Sequence, residues 1–451
     1  MTSDASIAQK ALIRRDLFAL LNLAWPVILS RLGIMAMGVT DTVVVGRFSP
    51  VELGYQTLGW APTGVVIMTG AGLLAGVQVI TARHIGEGRP EATGGVLRRG
   101  LLYALWLGLG IGLALYAFGP WVMGHTGLAP DLALGSGKVL QVLALSLPFH
   151  LISTSATYYL EALSRPKPAT VAMWSCNLVN LAINLLLVPG MLGISPMGAV
   201  GACWATVISR AVLSAWLLIY IVRMKDARAL GVFKAPVDTV QDAIDQRRVG
   251  YGGGASYFVE AGAFSSMNFI AGWLDALAVA GWGIVLSVTA TIFMVPLGLS
   301  AATAVLVGQA YGARDKAAVV RAGMTGFAVC FAVLTVIAVG VLAVARHISG
   351  FYSTDPVMIE MAGAAISLAC LYFVFDGLQG VGAQALRARG DVLAPTLTHI
   401  FSYAAVMVPL AWVLAFPAGM GLSGIIWAVI IASIFSASLL LGRFWWLARR
   451  A

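Results

Sequence analysis

The sequence predicts an all-α polytopic membrane protein with twelve transmembrane helices, arranged as two lobes of six helices each. Three observations predict this fold class. Hydrophobic residues make up 60% of the 451-residue chain and charged residues only 10%, whereas a soluble domain carries roughly 25% charged residues. The apolar residues fall in runs of about 20, which is long enough to cross the hydrocarbon core of a bilayer. Motifs from the first half of the chain also recur in the second half.

Twelve apolar runs define the predicted spans, and short polar or basic loops separate them. Spans 1 and 8 are the longest, and Pro26 and Pro296 are natural kink sites within them. In chain order, the spans cover residues 17–46, 58–82, 100–120, 139–162, 169–189, 199–222, 250–273, 280–310, 321–345, 360–385, 393–416 and 422–446.

The distribution of basic residues predicts the orientation of the chain in the membrane. All but five of the 28 Lys and Arg residues lie in the N-terminal segment, the even-numbered loops and the C-terminal segment. Because basic loops remain in the cytoplasm, both termini are predicted to be cytoplasmic. The net charge of +9 therefore reflects membrane topology, and it predicts no nucleic-acid partner. We expect a multi-pass protein of the bacterial inner membrane, in contact with the lipid bilayer.

The chain contains two copies of a six-span unit. Met197-Gly-Ala-Val-Gly-Ala-Cys-Trp-Ala205 reappears 223 residues later as Met420-Gly-Leu-Ser-Gly-Ile-Ile-Trp-Ala428. We therefore predict an N-lobe of residues 1–222, a cytoplasmic connector of residues 223–249 and a C-lobe of residues 250–451. Because each copy has an even number of spans, a pseudo-twofold axis along the membrane normal should relate them. One chain supplies both lobes, so we expect a monomer.

Three carboxylates lie deep in apolar sequence, where they are costly and therefore usually functional. Asp41 belongs to span 1, Glu260 to span 7 and Asp376 to span 10. Each also has a structural interpretation: Asp41 reaching the membrane interface, Glu260 paired with an arginine such as Arg210, and Asp376 serving packing alone. The sequence shows no nucleophile–base arrangement, phosphate loop or metal-spaced His cluster. We therefore predict an ion-driven transporter rather than an enzyme, with no cofactor apart from a coupling Na⁺ or H⁺.

Oxygen-bearing side chains accompany Asp41 in the N-lobe. Asn177, Asn180 and Asn184 form a polar stripe at helical spacing in span 5, and Thr206 lies in span 6. Carboxylate, amide and hydroxyl oxygens suit a hard cation such as Na⁺, and they also suit a hydrogen-bond network switched by a proton. The alternative is that the asparagines only join helices. Asn177 is a further candidate for lining a substrate path.

The two C-lobe acids each share a helical face with further candidate site residues. The face of Glu260 carries Tyr257, Phe264 and Met267, and the face of Asp376 carries Tyr372 and Gln379. An acid beside aromatic rings and methionine suits an organic cation, through charge pairing and cation–π attraction. An acid beside a hydroxyl and an amide suits a proton or a cation such as Na⁺. We therefore predict a cation or substrate site in the C-lobe.

Motifs along nearly the whole chain resemble those of the multidrug and toxic compound extrusion (MATE) transporters. Each motif is short, and the resemblance rests on their order and spacing along a twelve-span repeat. The motifs are Gly38-Val-Thr-Asp41-Thr-Val, Arg83-His-Ile-Gly-Glu-Gly-Arg89, Ala162-Leu-Ser-Arg-Pro-Lys-Pro168, Asn180-Leu-Ala-Ile-Asn184, Met197-Gly-Ala-Val-Gly-Ala202, Gly308-Gln-Ala-Tyr-Gly-Ala313 and Ala385-Leu-Arg-Ala-Arg-Gly-Asp391.

The resemblance implies an antiporter that exports cationic, amphipathic drugs in exchange for Na⁺ or H⁺ by alternating access of two lobes. It implies an N-lobe coupling site and a C-lobe cation site, and an acid in both spans 7 and 10 resembles the NorM-like branch. The implied N-lobe residues are Asp41, Asn180, Asn184 and Thr206, and the implied C-lobe residues are Glu260, Tyr372 and Asp376.

The sequence also departs from the family pattern. Asn184 stands where some relatives carry a second aspartate, Ile34 stands where many NorM-like members carry glutamine, and Arg31 is an unusual charge in span 1. An alternative function is a flippase for a lipid-linked saccharide, from the same superfamily. Such a flippase would line its path with basic residues, whereas the deep charges here are mainly acidic.

Overall fold

The structure, a computed structural model, describes residues 2–234 and 239–450, with side chains from residue 11 onward. Residues 235–238, which belong to the predicted connector and include Asp238, lie outside the described residues, as do Met1 and Ala451. The described part of the chain is helical and contains no strand.

A helix forms at every predicted span, and most helices extend beyond the apolar run into the flanking loops. In order of the spans, the helices are Thr2–Phe48, Pro50–Gly86, Thr93–Gly124, Pro130–Ala144 with Leu147–Ala162, Lys167–Leu187, Gly198–Arg223, Val240–Leu274, Ala276–Gly312, Lys316–Tyr352, Pro356–Ala388, Leu393–His399 with Ile400–Met407 and Val408–Ala415, and Gly421–Arg449.

Ten helices in the described chain are long and apolar enough to cross a membrane, and span 4 makes eleven if its two bent parts count as one. The remaining helix, Val240–Leu274, begins in the polar connector, and its apolar stretch is diluted by glycines, serines and Glu260. The predicted class, an all-α membrane protein with twelve transmembrane helices in two lobes, is confirmed.

Two spans depart from a continuous α-helix, and prolines explain where they do so. Span 4 bends by 43° between its two parts. Pro148 lies in the first turn of the second part, where a backbone N–H has no acceptor within the helix, so the missing N–H of proline costs no hydrogen bond. In span 11, residues Ile400–Met407 form a π-helix, and Pro409 follows directly in the next turn. Because proline cannot donate the usual backbone bond, the helix widens just before it.

The contacts divide the chain into two compact units. The N-unit is Leu29–Gly254, and the C-unit combines Met1–Ile28 with Ala255–Ala451. Both boundaries fall inside helices, at positions within spans 1 and 7. The N-lobe predicted from the sequence includes residues 1–28, whereas the contacts group these residues with the C-unit. One reason is Gly298, where an added Cβ would lie 2.9 Å from the backbone nitrogen of Ile28.

Small residues allow helices to pack closely within each unit, as expected for helices in lipid. In the N-unit, an added Cβ on Gly108 would lie 2.5 Å from the Cα of Pro148, so spans 3 and 4 are in near-backbone contact. In the C-unit, an added Cβ on Gly424 would lie 2.6 Å from the carbonyl carbon of Leu414. The four cysteines are buried and free of disulfide bonds: Cys176, Cys203, Cys330 and Cys370.

Candidate ion and substrate sites

The N-unit holds a carboxylate that is almost completely buried and fully hydrogen-bonded. Asp41 is 1% exposed. Its Oδ1 accepts a hydrogen bond from Asn184 Nδ2 at 2.7 Å, and its Oδ2 accepts one from Thr206 Oγ1 at 2.6 Å. Spans 5 and 6 therefore each supply one donor to the carboxylate of span 1. Hydrogen bonds to a charged group are the stronger ones in proteins.

Asn180 completes this group, which we call the Asp41 cluster (Asp41, Asn180, Asn184 and Thr206). The Asn184 Nδ2 lies 3.1 Å from the Asn180 Oδ1, because the two residues are four apart on one helix and share a face. Asn184 Oδ1 is buried and has no hydrogen-bond partner within the described ranges. A cation beside Asp41 would therefore find an available amide oxygen as well as carboxylate and hydroxyl oxygens.

Asn177 lies on the same helix but outside the Asp41 cluster. Its Nδ2 donates to the carbonyl oxygens of Gly33 and Met173, each at 3.0 Å. The side chain thus joins span 5 to the backbone of span 1, which matches the alternative interpretation of the asparagine stripe as interhelical bonding.

A second buried acid in the N-unit is absent from the sequence prediction, which identifies only three deep carboxylates. Glu161 is 1% exposed and forms an ion pair with Arg31, whose Nη2 lies 3.0 Å from its Oε1. Gln78 Nε2 donates to the other carboxylate oxygen at 2.7 Å, and the Arg31 guanidinium lies 5.4 Å from the centre of the Tyr158 ring. Glu161 is missed because it ends span 4 beside a basic loop. The charge of Arg31 inside span 1 was the signal in the sequence that a buried acid lies nearby, since a charge inside a span requires a partner.

Arg210 has different partners from those considered in the sequence analysis. Its Nη1 donates to Ser146 Oγ at 2.7 Å, and its guanidinium lies 5.4 Å from the centre of the Trp60 ring. Arg210 therefore has a hydroxyl and an aromatic ring as partners within the N-unit.

In the C-unit, Glu260 contacts residues from two other spans. Gln379 Nε2 of span 10 lies 3.4 Å from its Oε1, and His399 Nδ1 of span 11 lies 3.7 Å from its Oε2. Gln379, which sequence reasoning placed on the face of Asp376, hydrogen-bonds to Asp376 and also reaches across to Glu260. His399 is not among the site residues predicted from the sequence, because nothing in span 11 indicates which neighbour its ring contacts.

Asp376 is buried nearby on the same helix as Gln379. Its Oδ1 accepts a hydrogen bond from the Tyr403 hydroxyl at 3.3 Å, and Tyr403 lies on the π-helical segment of span 11. The hydroxyl of Tyr372, predicted to share the face of Asp376, is instead bonded to Thr289 Oγ1 at 2.6 Å. The acid of span 10 therefore receives its hydroxyl donor from span 11 and not from its own helix.

The three remaining candidates of the C-unit have separate environments. The Tyr257 hydroxyl accepts a hydrogen bond from Gln384 Nε2 at 3.2 Å, and the Phe264 ring centre lies 6.2 Å from that of Tyr403. Met267 is fully buried in the hydrophobic core of the C-unit. Tyr257 and Phe264 therefore border the acid site, whereas Met267 packs in the core.

A small cavity adjoins Glu260. Its volume is about 10 Å³, which is room for about one water molecule. The polar residues that line it are Tyr257, Glu260, Ser300, Gln379, Gln384, Arg387 and His399. No three His, Cys, Asp or Glu side chains form a metal-binding cluster in the parts of the chain that the structure describes. The site therefore consists of acids surrounded by hydrogen-bonding groups.

Comparison with known proteins places this architecture in a family. The family model of MatE matches residues 26–186 and 254–413, which is one match in each predicted repeat. A probable multidrug resistance protein NorM of Caulobacter vibrioides is 52% identical over 432 residues, covering 96% of this chain and 92% of that protein. Multidrug resistance protein PmpM of Pseudomonas aeruginosa is 31% identical over 410 residues, covering 89% and 84%.

Solved structures share the fold at lower identity. The eukaryotic MATE transporter AtDTX14 matches with a TM-score of 0.88 and 17% identity, over 97% of this chain and 98% of that one. An outward-facing MATE family transporter also matches with a TM-score of 0.88, at 19% identity over 96% of each chain. The solved structures share the fold, and the family model together with the 52% identical NorM relative shows that the chain is a multi-pass membrane protein of the MatE transporter family, in its NorM-like branch.

Proposed function

We propose that this protein is a secondary active antiporter that exports organic cations in exchange for H⁺ or Na⁺. The observation that carries the proposal is the Asp41 cluster, where a carboxylate that is 1% exposed accepts bonds from two other spans. A carboxylate is costly in a membrane interior unless it is paired or protonated. Its retention at the meeting point of three spans supports a role in ion coupling.

The geometry suggests how ion binding would change the N-unit. The ionised Asp41 accepts hydrogen bonds on both oxygens, from Asn184 and from Thr206. Once protonated, the carboxyl group becomes a donor at one oxygen, so one of these bonds must rearrange. A bound Na⁺ would likewise require the two donors to turn their oxygens toward the ion. Either event alters how spans 5 and 6 contact span 1, which is the change that an ion-driven transporter needs.

The C-unit supports the cationic nature of the substrate. Glu260 and Asp376 lie close to the aromatic rings of Phe264 and Tyr403, and a buried acid beside aromatic faces attracts an organic cation. The names of the NorM and PmpM relatives refer to multidrug resistance. Small amphipathic cations are therefore the proposed substrates, moved by alternating access in a bacterial inner membrane, with both termini in the cytoplasm and one chain as the working unit.

The charges of the N-unit argue against a flippase for a lipid-linked saccharide. A path for lipid phosphates needs available basic groups, but Arg31 is paired with Glu161 at 3.0 Å. The other arginine within a span, Arg210, is held by Ser146 and the ring of Trp60. We therefore assign the transport of cations rather than anionic lipids.

Reconstitution into liposomes tests the proposal. Ethidium movement is measured under imposed pH and Na⁺ gradients, for the wild type and for Asp41→Asn, Glu260→Gln and Asp376→Asn. We expect at least one gradient to drive export by the wild type, and each variant to fall close to the rate of protein-free liposomes.

Two exposed acids provide matched controls for these variants. Asp131→Asn in the N-unit and Glu360→Gln in the C-unit alter exposed side chains and should export ethidium like the wild type. Wild-type export by all three buried-acid variants would refute the proposal, and gradient-independent movement of a lipid-linked saccharide would favour the flippase.

A further inference from the structure

We propose that His399 is the proton-accepting partner of Glu260 and that it makes the C-unit site selective for H⁺ over Na⁺. This inference rests on the proposed function, since it names the coupling ion of the antiporter at this site. It concerns the group that we call the Glu260 site, which consists of Glu260, Gln379 and His399.

His399 is a polar ring in an unusual position for a packing residue. Its side chain is 2% exposed, and its Nδ1 lies 3.7 Å from Glu260 Oε2. Neither ring nitrogen has a hydrogen-bond partner in the described part of the chain. The ring is held edge-on against Tyr403, with 5.6 Å between the ring centres. Buried polar atoms without partners are rare and call for an explanation, and an exchangeable proton at this position supplies one.

The small cavity provides the connection between the two side chains. A separation of 3.7 Å is too long for a direct hydrogen bond, and one water molecule would complete it. Both Glu260 and His399 line the cavity of about 10 Å³, which has room for about one water. A proton can therefore pass from the Glu260 carboxyl group through water to His399 Nδ1. The products are a carboxylate and an imidazolium, so charge and protons balance.

The surrounding charges explain why one positive charge is exchanged for another. The charged residues that act on Glu260 are Asp376 and Arg387 of span 10, and Arg387 acts on His399 as well. Arg387 donates to Ser256 Oγ at 2.6 Å. With both acids ionised, two carboxylates and one guanidinium leave one negative charge uncompensated. Either a proton or an organic cation can supply the missing charge, and the two therefore compete.

The remaining groups near the site do not carry a charge at neutral pH. Tyr257 of span 7 and Tyr403 of span 11 contribute hydroxyls. Span 8 contributes only side chains that do not ionise, namely Phe293, Pro296, Leu297 and Ser300. Glu260, Asp376, Arg387 and His399 are therefore the groups that set the pH dependence.

The atoms that face Glu260 disfavour Na⁺. His399 presents a nitrogen to this carboxylate, Nδ1 at 3.7 Å. Gln379 donates from Nε2 at 3.4 Å, and its amide offers one oxygen ligand at most, the buried Oε1. A hard cation requires several oxygen ligands, whereas a proton requires only one acceptor. At 3.7 Å from Glu260 Oε2, His399 adds a proton acceptor and no oxygen ligand. Protons and bulky organic cations therefore remain as the competing ligands.

Equilibrium binding of tetraphenylphosphonium to the purified full-length protein tests this inference. If one proton is released for each cation that binds, the affinity for tetraphenylphosphonium rises by about tenfold for each unit by which the pH is raised. We expect this dependence for the wild type, with proton release in weakly buffered solution and no change when K⁺ is replaced by Na⁺. We expect His399→Gln to release fewer protons and to show a flatter pH profile, whereas the exposed control His347→Gln should match the wild type.

The outcomes separate this inference from the proposed function. If Na⁺ displaces tetraphenylphosphonium from the wild type as protons do, or if folded His399→Gln keeps the wild-type pH profile, the inference is overturned while the antiporter proposal stands. If His399→Gln does not fold, the competition of Na⁺ and H⁺ in the wild type decides the selectivity. If neither gradient drives ethidium export in liposomes, the proposed function fails and with it this assignment.

Discussion

Replacing Glu161 with glutamine tests whether the buried ion pair of the N-unit is a structural anchor. Glu161 is 1% exposed and the Arg31 side chain 13% exposed, with 3.0 Å between the paired atoms. Glutamine preserves the size of the side chain and its hydrogen-bonding capacity toward Gln78. It removes only the negative charge, so the effect reports on the electrostatic part of the contact.

The burial of the pair sets the expected magnitude. Removing one partner of a buried ion pair costs about 3–5 kcal/mol, because the other charge remains without compensation. Arg31 keeps some solvent and its contact with the Tyr158 ring, which favours the lower end of that range. In a unit of this size, 1 kcal/mol shifts Tm by about 2–4 °C. A loss of about 3 kcal/mol therefore predicts that Tm falls by about 6–12 °C.

The four buried cysteines provide the assay, because a thiol-reactive fluorophore reports unfolding in detergent. Glu360→Gln, an exposed acid, is the matched control and should leave Tm unchanged. The double variant Arg31→Met with Glu161→Met should recover stability relative to Glu161→Gln, since neither charge of the pair then remains. A Tm within about 2 °C of the wild type for Glu161→Gln, less than 1 kcal/mol in such a unit, would refute the reasoning. So would a double variant no more stable than the single one.

Three further predictions concern packing, surface charge and the N-unit site. Gly108→Ala should destabilise by about 1–3 kcal/mol through overpacking, whereas Gly110→Ala, which has open space on the same helix, should be neutral or stabilising in thermal unfolding. Hydrogen bonds from Arg165 lower the pKa of Asp226. The pair therefore stabilises the folded protein at pH values above the ordinary Asp pKa, and this stabilisation is lost as the pH falls through the lowered pKa of Asp226. Because the Arg165 and Asp226 side chains are 45% and 35% exposed, Arg165→Ala should cost at most about 1 kcal/mol at neutral pH, and added salt should reduce the difference. Thr206→Val removes one hydrogen bond to a charged group, about 1.5–3 kcal/mol; it should slow gradient-driven ethidium export at least about tenfold, and Thr206→Ser should restore it.

The sequence predicts the helices from local rules, whereas the composition of the Asp41 cluster is predicted from a polar stripe together with the resemblance to the MATE transporters. Apolar runs of sufficient length form spans whatever their neighbours, and helical spacing places Asn180 and Asn184 on one face. Span 1 carries a single acid, Asp41, so Asp41 was the evident acceptor for the amide groups on that face of span 5. The bonds to Asn184 and Thr206, at 2.7 and 2.6 Å, follow this pattern.

The contacts of Glu161 and His399 could not be predicted because they depend on which helices pack together. Glu161 lies 83 residues from Gln78 and 130 from Arg31 along the chain, and no periodicity within one span encodes such a pairing. Tyr372 shows the opposite error. Its spacing from Asp376 allows a shared face, but Thr289 of span 8 provides a closer partner at 2.6 Å.

The π-helical segment Ile400–Met407 has a consequence for comparing relatives of this protein. A π-turn bonds each N–H five residues back instead of four, so the segment holds one residue more than an α-helix needs. A relative that lacks one residue here would keep span 11 continuous. However, the two sides of the deletion would rotate against each other by about 100°. Such a relative could retain a tyrosine aligned with Tyr403 and yet direct it away from Asp376, so the length of this segment decides whether the hydroxyl reaches the acid.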